Sequence, residues 1–237
     1  MKKIILFLSI ILMLSGCGAG GNTENSLNPE QSPSEIQSEV SVQKDTGELL
    51  ESTFMKLWKS DTVDIDVTMT VEGKEKSDEK QVYQYRIAGD KKNKNAVLEM
   101  EEPDGKKVHY IINDDKIYDI NDSEKTYTVS EYKKTVDSFI KAYTTGMNLG
   151  MSESLKMADS GTTEFDKKKD IEFEKYNVKV SGGAGEKITV TYYFRNGRPY
   201  AEVMQSERGK TTFMFKKVAD SVDNGNVFKV SDDYYEN

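Results

Sequence analysis

Two residues that could do chemistry occur only once each in the 237-residue sequence, Cys17 and His109. A thiol can act as a nucleophile or metal ligand, and an imidazole can act as a general base or metal ligand. A Ser-His-Asp hydrolase would have to use His109, yet the sequence has no Gly-x-Ser-x-Gly motif to present the serine. A zinc site takes three or four protein ligands, most often Cys and His, which this chain cannot supply.

Carboxylates are the other groups that could carry acid–base or metal chemistry. Asp64 and Asp66 are two residues apart in an alternating stretch, which predicts that both lie on its wet face. Asp114 and Asp115 lie in a predicted turn, where Asp is favoured by hydrogen bonds to its own backbone. Residues 119–124 are acidic but lack the glycine and final Glu of an EF-hand loop. No phosphate-binding glycine motif occurs, so we expect no catalytic residue, no metal site, no cofactor and no enzyme.

The N-terminal residues predict a secretion signal. Lys2 and Lys3 precede an apolar run over residues 4–14. That run is too short for a membrane-spanning helix, which needs about 20 residues. A positive start, a short apolar core and small residues at its end are typical of a signal peptide. The sequence therefore predicts a signal peptide over residues 1–16.

The residues Leu14-Ser15-Gly16-Cys17 resemble the lipobox of bacterial lipoproteins. In that family the cysteine thiol receives a diacylglyceryl group, and cleavage makes the cysteine the new N-terminus. The resemblance implies that Cys17 is lipidated, which removes the thiol from any catalytic role. Two or three buried acyl chains anchor a protein stably to a membrane. The alternative is an ordinary signal peptide followed by an unmodified cysteine.

The mature chain is expected to be acidic. Loss of Lys2 and Lys3 would leave 31 basic residues against 41 acidic ones, a net charge near −10. Such a chain is poorly suited to nucleic acid, whose affinity comes from neutralised phosphates, or to anionic lipid. We therefore expect no nucleic-acid partner and attachment to the extracytoplasmic face of the cell membrane through the lipid. Lysines outnumber arginines 29 to 4, from which we infer an AT-rich genome and favour a Gram-positive host.

The rest of the chain is predicted to form a tether and one domain. Residues 17–44 begin with the cysteine expected to be lipidated. The rest of this range is rich in Gly, Ser, Asn, Glu, Gln and Pro and predicts a disordered tether. Residues 45–237 predict about ten short strands, the clearest at 62–72, where apolar and polar residues alternate strictly. Turn signals such as Asn196-Gly197 separate the strands. Because the links are short, strands adjacent in sequence are expected to pair.

Two helices are predicted to accompany the sheet. The first covers residues 45–60, with Asp45 and Glu48 arranged as a capping box. The second covers residues 130–145, with Ser130 as its N-cap.

Four shorter segments carry weaker patterns. A loose helix is predicted from Ser152 to Met157, and a last strand over residues 226–230. The lysines at 167–169 predict a solvated loop. The apolar residues occupy odd positions at Ile171 and Phe173 and even positions from Tyr176 onward. A bulge near Glu174-Lys175 would place both sets on the same face of the sheet.

This order of elements resembles that of the LolA/LppX-like lipoprotein superfamily. The resemblance covers about residues 45–232 and rests on a strand, turn and Tyr-containing strand at 108–118 and on the runs 209–215 and 227–230. It implies a mainly β (α+β) fold, with a strongly curved antiparallel half-barrel sheet and two helices packed on its concave side. In this family the concave face holds acyl chains of lipoproteins or lipids, whereas some members from spore-formers bind and control a cell-wall amidase. The periplasmic carrier of the family is soluble, so an anchored chain implies a stationary binder instead of a shuttle.

Two functions follow as alternatives, and an enzyme ranks third. The first is a non-catalytic protein that binds an acyl chain, a lipid or a lipoprotein in the half-barrel, with the aromatic residues of the second helix as plug or lid. The second is an interaction module that regulates a cell-envelope enzyme through the sheet edge or outer face, with an envelope protein as partner. The candidate cavity-lining residues of the first hypothesis are Val63, Ile65, Val67, Met69, Tyr83, Tyr85, Ile87, Leu98, Met100, Tyr110, Ile112, Tyr132, Phe139, Tyr143, Val190, Tyr192 and Phe213.

Overall fold

The computed structural model describes residues 47–75, 79–144, 147, 154–179 and 187–237. Cys17, Asp45, the predicted signal peptide and the whole predicted tether lie outside the described residues, and so does Ser152.

The described chain is mainly β, and its strands form one open, curved sheet of 12 strands. The strands are β1 (Thr62–Gly73), β2 (Gln81–Asp90), β3 (Asn95–Glu101), β4 (Lys107–Asn113), β5 (Lys116–Asn121), β6 (Thr126–Glu131), β7 (Ser154–Phe165), β8 (Lys168–Lys179), β9 (Ile188–Arg195), β10 (Arg198–Gln205), β11 (Gly209–Ala219) and β12 (Tyr235–Glu236). The expected count of about ten was too low, because β7 and β12 were not predicted.

Strand order follows the chain closely. It runs β12-β6-β5-β4-β3-β2-β1-β11-β10-β9-β8-β7. Thus β1 lies in the middle, with β2 to β6 on one side and β11 back to β7 on the other. All pairs are antiparallel except the short parallel pair of β12 and β6. Short turns produce this pairing, as predicted: Asn196 and Gly197 both have positive φ, at 53° and 68°, as a type I′ turn requires.

The first helix, α1, begins at Glu48 and consists of Glu48–Leu50, a π-helical Glu51–Met55 and Lys56–Lys59. Its apolar residues recur on one side and are buried against the sheet, as the sequence predicted. Trp58 is half-buried and packs against the same cluster.

The second helix, α2 (Val136–Thr144), begins later than expected. Ser130 is not its N-cap, because Ser130 and Glu131 extend β6 in register with β5. Thr135 caps the helix instead: its Oγ1 accepts a hydrogen bond from the Ser138 backbone N–H at 3.1 Å.

Two other local predictions were wrong. Residues 154–157 are the start of β7 and not a helix. Residues 226–230 form no strand, because Gly225–Phe228 is a 3₁₀ helix whose N-cap Asn224 accepts from the Asn226 N–H at 2.9 Å.

The irregularity expected in β8 lies in its neighbour. The register between β7 and β8 shifts between Met157 and Asp159, opposite Lys175 and Tyr176. The pairing of β8 with β9 has no register shift. The apolar residues at odd positions of β8, such as Ile171, and those at even positions, such as Tyr176, therefore face opposite sides of the sheet. Lys168 and Lys169 belong to β8 and not to a loop, whereas Lys167 lies in the turn before it.

Both sides of the sheet bury apolar side chains. We call the side that carries Val67 the inner face and the side that carries Asp64 the outer face. The inner face and the two helices form the large core cluster. On the outer face a smaller cluster packs under the C-terminal segment, with Phe228 at its centre.

Candidate functional site

All 17 predicted lining residues lie in one apolar cluster. Fourteen are buried, and only Tyr110, Tyr132 and Tyr143 are half-buried. Those on strands share the inner face because strand side chains alternate and the register aligns them across strands. For example, Val67 pairs with Tyr85 on one side and Phe215 on the other. The structure thus brings these residues together, and their contact with a ligand stays a prediction.

Helix α1 covers one half of the inner face. The Phe54 ring lies 5.1 Å from that of Tyr192, 5.2 Å from that of Phe215 and 6.2 Å from that of Phe194, centroid to centroid. Tilted and edge-on ring pairs at these distances add to the gain from burial. Phe54 therefore fixes α1 over β9 and β11.

Helix α2 covers the other half, over β2 and β3. Phe139 lies between Tyr132 and Tyr143, with centroid distances of 6.1 Å and 5.0 Å. Burial, with a smaller contribution from nearby tyrosines and Asp119, raises the pKa of Tyr143 to about 12. A Cβ on Gly89 would lie 2.4 Å from Ile140 Cδ1, so α2 packs closely on the sheet here and a larger residue at 89 would displace the Ile140 side chain. Phe139 and Tyr143 lie on α2, whereas Tyr132, which was expected on the same helix, precedes it, and the role of the three as a plug stays a prediction.

The N-terminus of α1 is held by a buried carboxylate that the sequence did not reveal. Glu174 on β8 is 5% exposed. Its Oε1 accepts from the Leu49 N–H at 3.0 Å and its Oε2 from the Leu50 N–H at 2.9 Å. The Tyr176 hydroxyl donates to Oε2 at 2.8 Å and accepts from the Gly47 N–H at 2.7 Å. Glu174 thus does the work of an N-cap side chain, which Gly47 lacks.

A second carboxyl on the inner face has no such role. Glu202 on β10 is 0% exposed, and neither of its oxygens has a hydrogen-bond partner among the residues that the structure describes. Burial raises its pKa well above the ordinary value. In register it lies between Tyr192 of β9 and Phe213 of β11. An unpartnered carboxyl in such surroundings is costly to a folded protein.

A groove of about 650 Å³ opens beside the start of α2. Its floor includes Ile112, and its wall includes Tyr132 and Val136, all part of the large core cluster. Its rim is charged: Lys91 Nζ lies 3.2 Å from an Asp137 carboxylate oxygen. The complete lining is Lys91, Lys94, Ile112, Asp115, Glu131, Tyr132, Lys133, Lys134, Thr135, Val136 and Asp137.

The outer face buries a charge in a different way. Asp64, expected on a wet face, is 0% exposed. Arg86 binds its two oxygens at 3.0 Å and 2.9 Å, and Lys217 Nζ lies 2.9 Å from Oδ2. Burial opposes ionisation, but the hydrogen bonds from Arg86 and Lys217 outweigh it and lower the pKa of Asp64. The prediction was correct for Asp66, which is partly exposed.

His109 also lies on the outer face. Its Nδ1 is 3.1 Å from Asp122 Oδ1, and the Tyr234 hydroxyl donates to the same oxygen at 2.8 Å. These contacts tie the C-terminal segment to β4. Within the described ranges, no group of three or more His, Cys, Asp or Glu residues lies close enough together to hold a metal ion.

The N-terminal prediction is matched by a family model. Residues 1–17 match the model described as "Prokaryotic membrane lipoprotein lipid attachment site". The sequence thus carries a lipid attachment site that ends at Cys17. No helix in the part of the chain that the structure describes is both long and apolar enough to span a membrane. No curated protein matches the sequence.

Several solved structures are similar to this one at low sequence identity. LprF from Mycobacterium bovis is 10% identical, with a TM-score of 0.45 over 78% of this chain and 95% of that one. Lipoprotein LppX from Mycobacterium tuberculosis is 12% identical, with a TM-score of 0.42 over 74% and 95%. A LolA superfamily protein from Nitrosomonas europaea is 11% identical, with a TM-score of 0.41 over 76% and 96%. At these identities no residue role transfers to this chain.

Proposed function

We propose that this protein is a membrane-anchored, extracytoplasmic lipoprotein that binds an apolar ligand on the inner face of a half-barrel, without catalysis. The ligand is an acyl chain, a lipid or the acyl part of a lipoprotein. The observation that carries the proposal is the continuity between the groove beside α2 and the apolar cluster, because Ile112 belongs to both. The groove's volume of about 650 Å³ falls in the range of about 300–1,000 Å³ that is common for ligand pockets.

The two covering helices support a role as lids. α2 is a nine-residue helix that meets the sheet mainly through apolar side chains, and α1 adds the Glu174 bonds at its start. Packing of this kind can be exchanged for a ligand's apolar surface at little net cost, since both bury similar groups. The aromatic residues Tyr132, Phe139 and Tyr143 would move first, because they line or adjoin the groove.

The anchor is tested by Cys17→Ser. We expect the variant to incorporate no labelled fatty acid and to leave the membrane fraction, while the wild type remains there. A wild-type protein without label would contradict the lipid anchor. The Gram-positive host stays a prediction from the lysine content.

The ligand is tested on the mature chain carrying Cys17→Ser, purified without detergent from the soluble fraction of its own host cells. Native mass spectrometry with lipid extraction should find a lipid at one per protein. A matched variant, Ile112→Trp, places a bulky ring in the groove floor and should reduce the lipid-bound fraction. Val97→Ile, on the outer face of β3, serves as the control for added core volume. An empty wild-type protein that also fails to take up fatty acid, glyceride or phospholipid would overturn the proposal.

A second function, as a regulatory interaction module, is favoured by the edge strand β7. In the described residues β7 pairs only with β8, which leaves one side of a 12-residue strand available. Such an edge can add a strand from a partner protein. Pull-down from envelope extracts should then recover a partner, and Thr162→Pro or Thr163→Pro should abolish its capture, according to which N–H points outward. Equal capture by the wild type and both variants would exclude β7 as the contact.

A further inference from the structure

Glu202 is turned towards the inner face by a β-bulge. The two-residue turn at Asn196-Gly197 pairs Arg195 with Arg198 and Phe194 with Pro199. If that register continued, Ala201 would face inward and Glu202 would face outward. The register shifts at Tyr200, so Ala201 pairs with Tyr193 and Glu202 pairs with Tyr192. Bulges commonly re-aim a side chain in this way near functional sites.

The carboxyl of Glu202 makes no stabilising hydrogen bond in the described residues. Neither oxygen has a partner in the described ranges, and no cation is paired with it there. Its register neighbours Tyr192 and Phe213 and its strand neighbour Met204 are buried. A leucine would fill the same position without leaving a polar group unsatisfied.

Glu174 provides the internal comparison. It flanks Tyr192 on the other side, so the two carboxyls occupy one row of the inner face with Tyr192 between them. Glu174 accepts three hydrogen bonds that fix α1, whereas Glu202 accepts none in the described residues. The same face therefore shows what a carboxyl with a structural role looks like, and Glu202 differs from it.

A second polar group lies within electrostatic reach of Glu202. Tyr85 on β2 is buried, and burial together with the charge of Glu202 raises its pKa. Among the described residues its hydroxyl donates to a weak acceptor, the Met147 sulfur at 3.7 Å. A carboxyl on the half of the inner face covered by α1 and a phenol on the half covered by α2 thus face the same interior.

We propose that Glu202 is the polar anchor of the ligand site and binds a neutral hydroxyl-bearing head group, as in a monoacylglycerol, whose acyl chain lies along the apolar inner face. This inference rests on the proposed function and specifies its ligand. A protonated carboxyl offers one donor and one free acceptor, which a hydroxyl matches without bringing a charge into the interior. A cationic or anionic head group would have to lose its hydration there, at a cost of several kcal/mol.

The test measures binding of three probes with the same acyl length: monopalmitoylglycerol, palmitate and hexadecylamine. The protein is the mature chain carrying Cys17→Ser. We expect monopalmitoylglycerol to bind tightest. Glu202→Leu should weaken it tenfold or more, since the head group loses its partner. Glu202→Gln should stay within about threefold, because an amide also donates and accepts. Glu99→Leu, on the exposed part of the outer face, is the matched control and should bind as the wild type does.

The outcomes separate the two proposals. If Glu202→Leu binds monopalmitoylglycerol as tightly as the wild type, Glu202 is not the anchor, although the proposed function stands. If hexadecylamine binds tightest and Glu202→Gln loses it, the neutral head group is wrong. If the wild type binds none of the three probes, the proposed function itself fails. Unfolding of each variant by urea shows whether a loss of binding is a loss of fold.

Discussion

Asp64 and Glu202 are both 0% exposed, yet they lie on opposite faces of the sheet. They differ in their hydrogen-bond partners and in the direction in which their pKa is shifted. Asp64 on the outer face is bound by Arg86 and Lys217 and is held ionised. Glu202 on the inner face has no partner in the described residues, and burial raises its pKa well above the ordinary value. The outer face therefore buries charge as part of its structure, whereas the inner face keeps a polar group unsatisfied. The proposed ligand would supply the partner that this group lacks.

The largest effect is expected from breaking the outer network with Asp64→Ala. Arg86 and Lys217 are 28% and 33% exposed, so their charges regain water in part. We expect a loss of about 3 kcal/mol in the free energy of unfolding, at the low end for breaking a buried ion pair. Urea unfolding measures it. Asp66→Ala, on the same strand and face, should cost less than about 1 kcal/mol. Equal losses for the two would show that the burial of Asp64 is unimportant.

A smaller loss is expected from Glu174→Ala, which tests whether a carboxyl on the inner face can be structural. The change removes the acceptor for two backbone N–H groups and the Tyr176 hydroxyl. We expect a loss of about 2 kcal/mol, as for a strong helix cap, and about 1 kcal/mol for Tyr176→Phe. Glu172→Ala, two residues earlier on the same strand, is the control and should change stability by less than about 0.5 kcal/mol. Calorimetry or urea unfolding gives these values.

Glu202→Leu should change stability in the other direction. Removing an unpartnered buried carboxyl is expected to raise the free energy of unfolding of the ligand-free protein by about 1–2 kcal/mol at neutral pH. The measurement is urea unfolding of protein stripped of lipid. A loss of more than about 1 kcal/mol would mean that Glu202 has a structural role like that of Glu174.

The smallest expected effect is the pH dependence of the free energy of unfolding, whose sign differs between Asp64 and Glu202. For one proton its slope is at most about 1.4 kcal/mol per pH unit. The pKa of Asp64 is lowered in the fold, so its stabilisation is present above its ordinary pKa of 3.8 and is lost as pH falls further. The pKa of Glu202 is raised, so its favourable contribution is present below 4.5 and is lost as pH rises towards the folded value. Urea unfolding between pH 3 and 8 should therefore show Glu202→Gln gaining on the wild type as pH rises. Asp64→Asn should fall furthest behind the wild type at neutral pH.

The sheet was largely predictable because most strands bury one face. In β1, Val63, Ile65 and Val67 alternate with polar residues, and that pattern alone gives the strand and its inner side. β7 could not be found in this way, because as an edge strand it exposes residues such as Asp159 and Thr162 on both sides. β12 has two residues and therefore no period to detect.

The candidate site was predictable in its apolar part only. Side-chain alternation placed the apolar residues on one face, whereas the polar groups among them depend on register. The bulge at Tyr200 inverts the direction of Glu202, and no residue type in Arg198–Gln205 announces it. The burial of Glu174 could have been suspected from the sequence. It alternates with Tyr176 and Val178, so it lies on the same apolar face, where a carboxylate needs a hydrogen-bond partner.

The path from the membrane into the fold runs through α1. The chain that follows Cys17 enters the described structure at Gly47, whose N–H is bonded to Tyr176, and continues directly into the helix that inserts Phe54. Residues 18–46 can span about 100 Å when fully extended. Any tension in them first reaches the Gly47–Tyr176 hydrogen bond, which joins the start of α1 to β8, and then α1 itself. The connection to the bilayer and the cover of the inner face are thus one continuous piece of chain, and a pull on the first is a pull on the second.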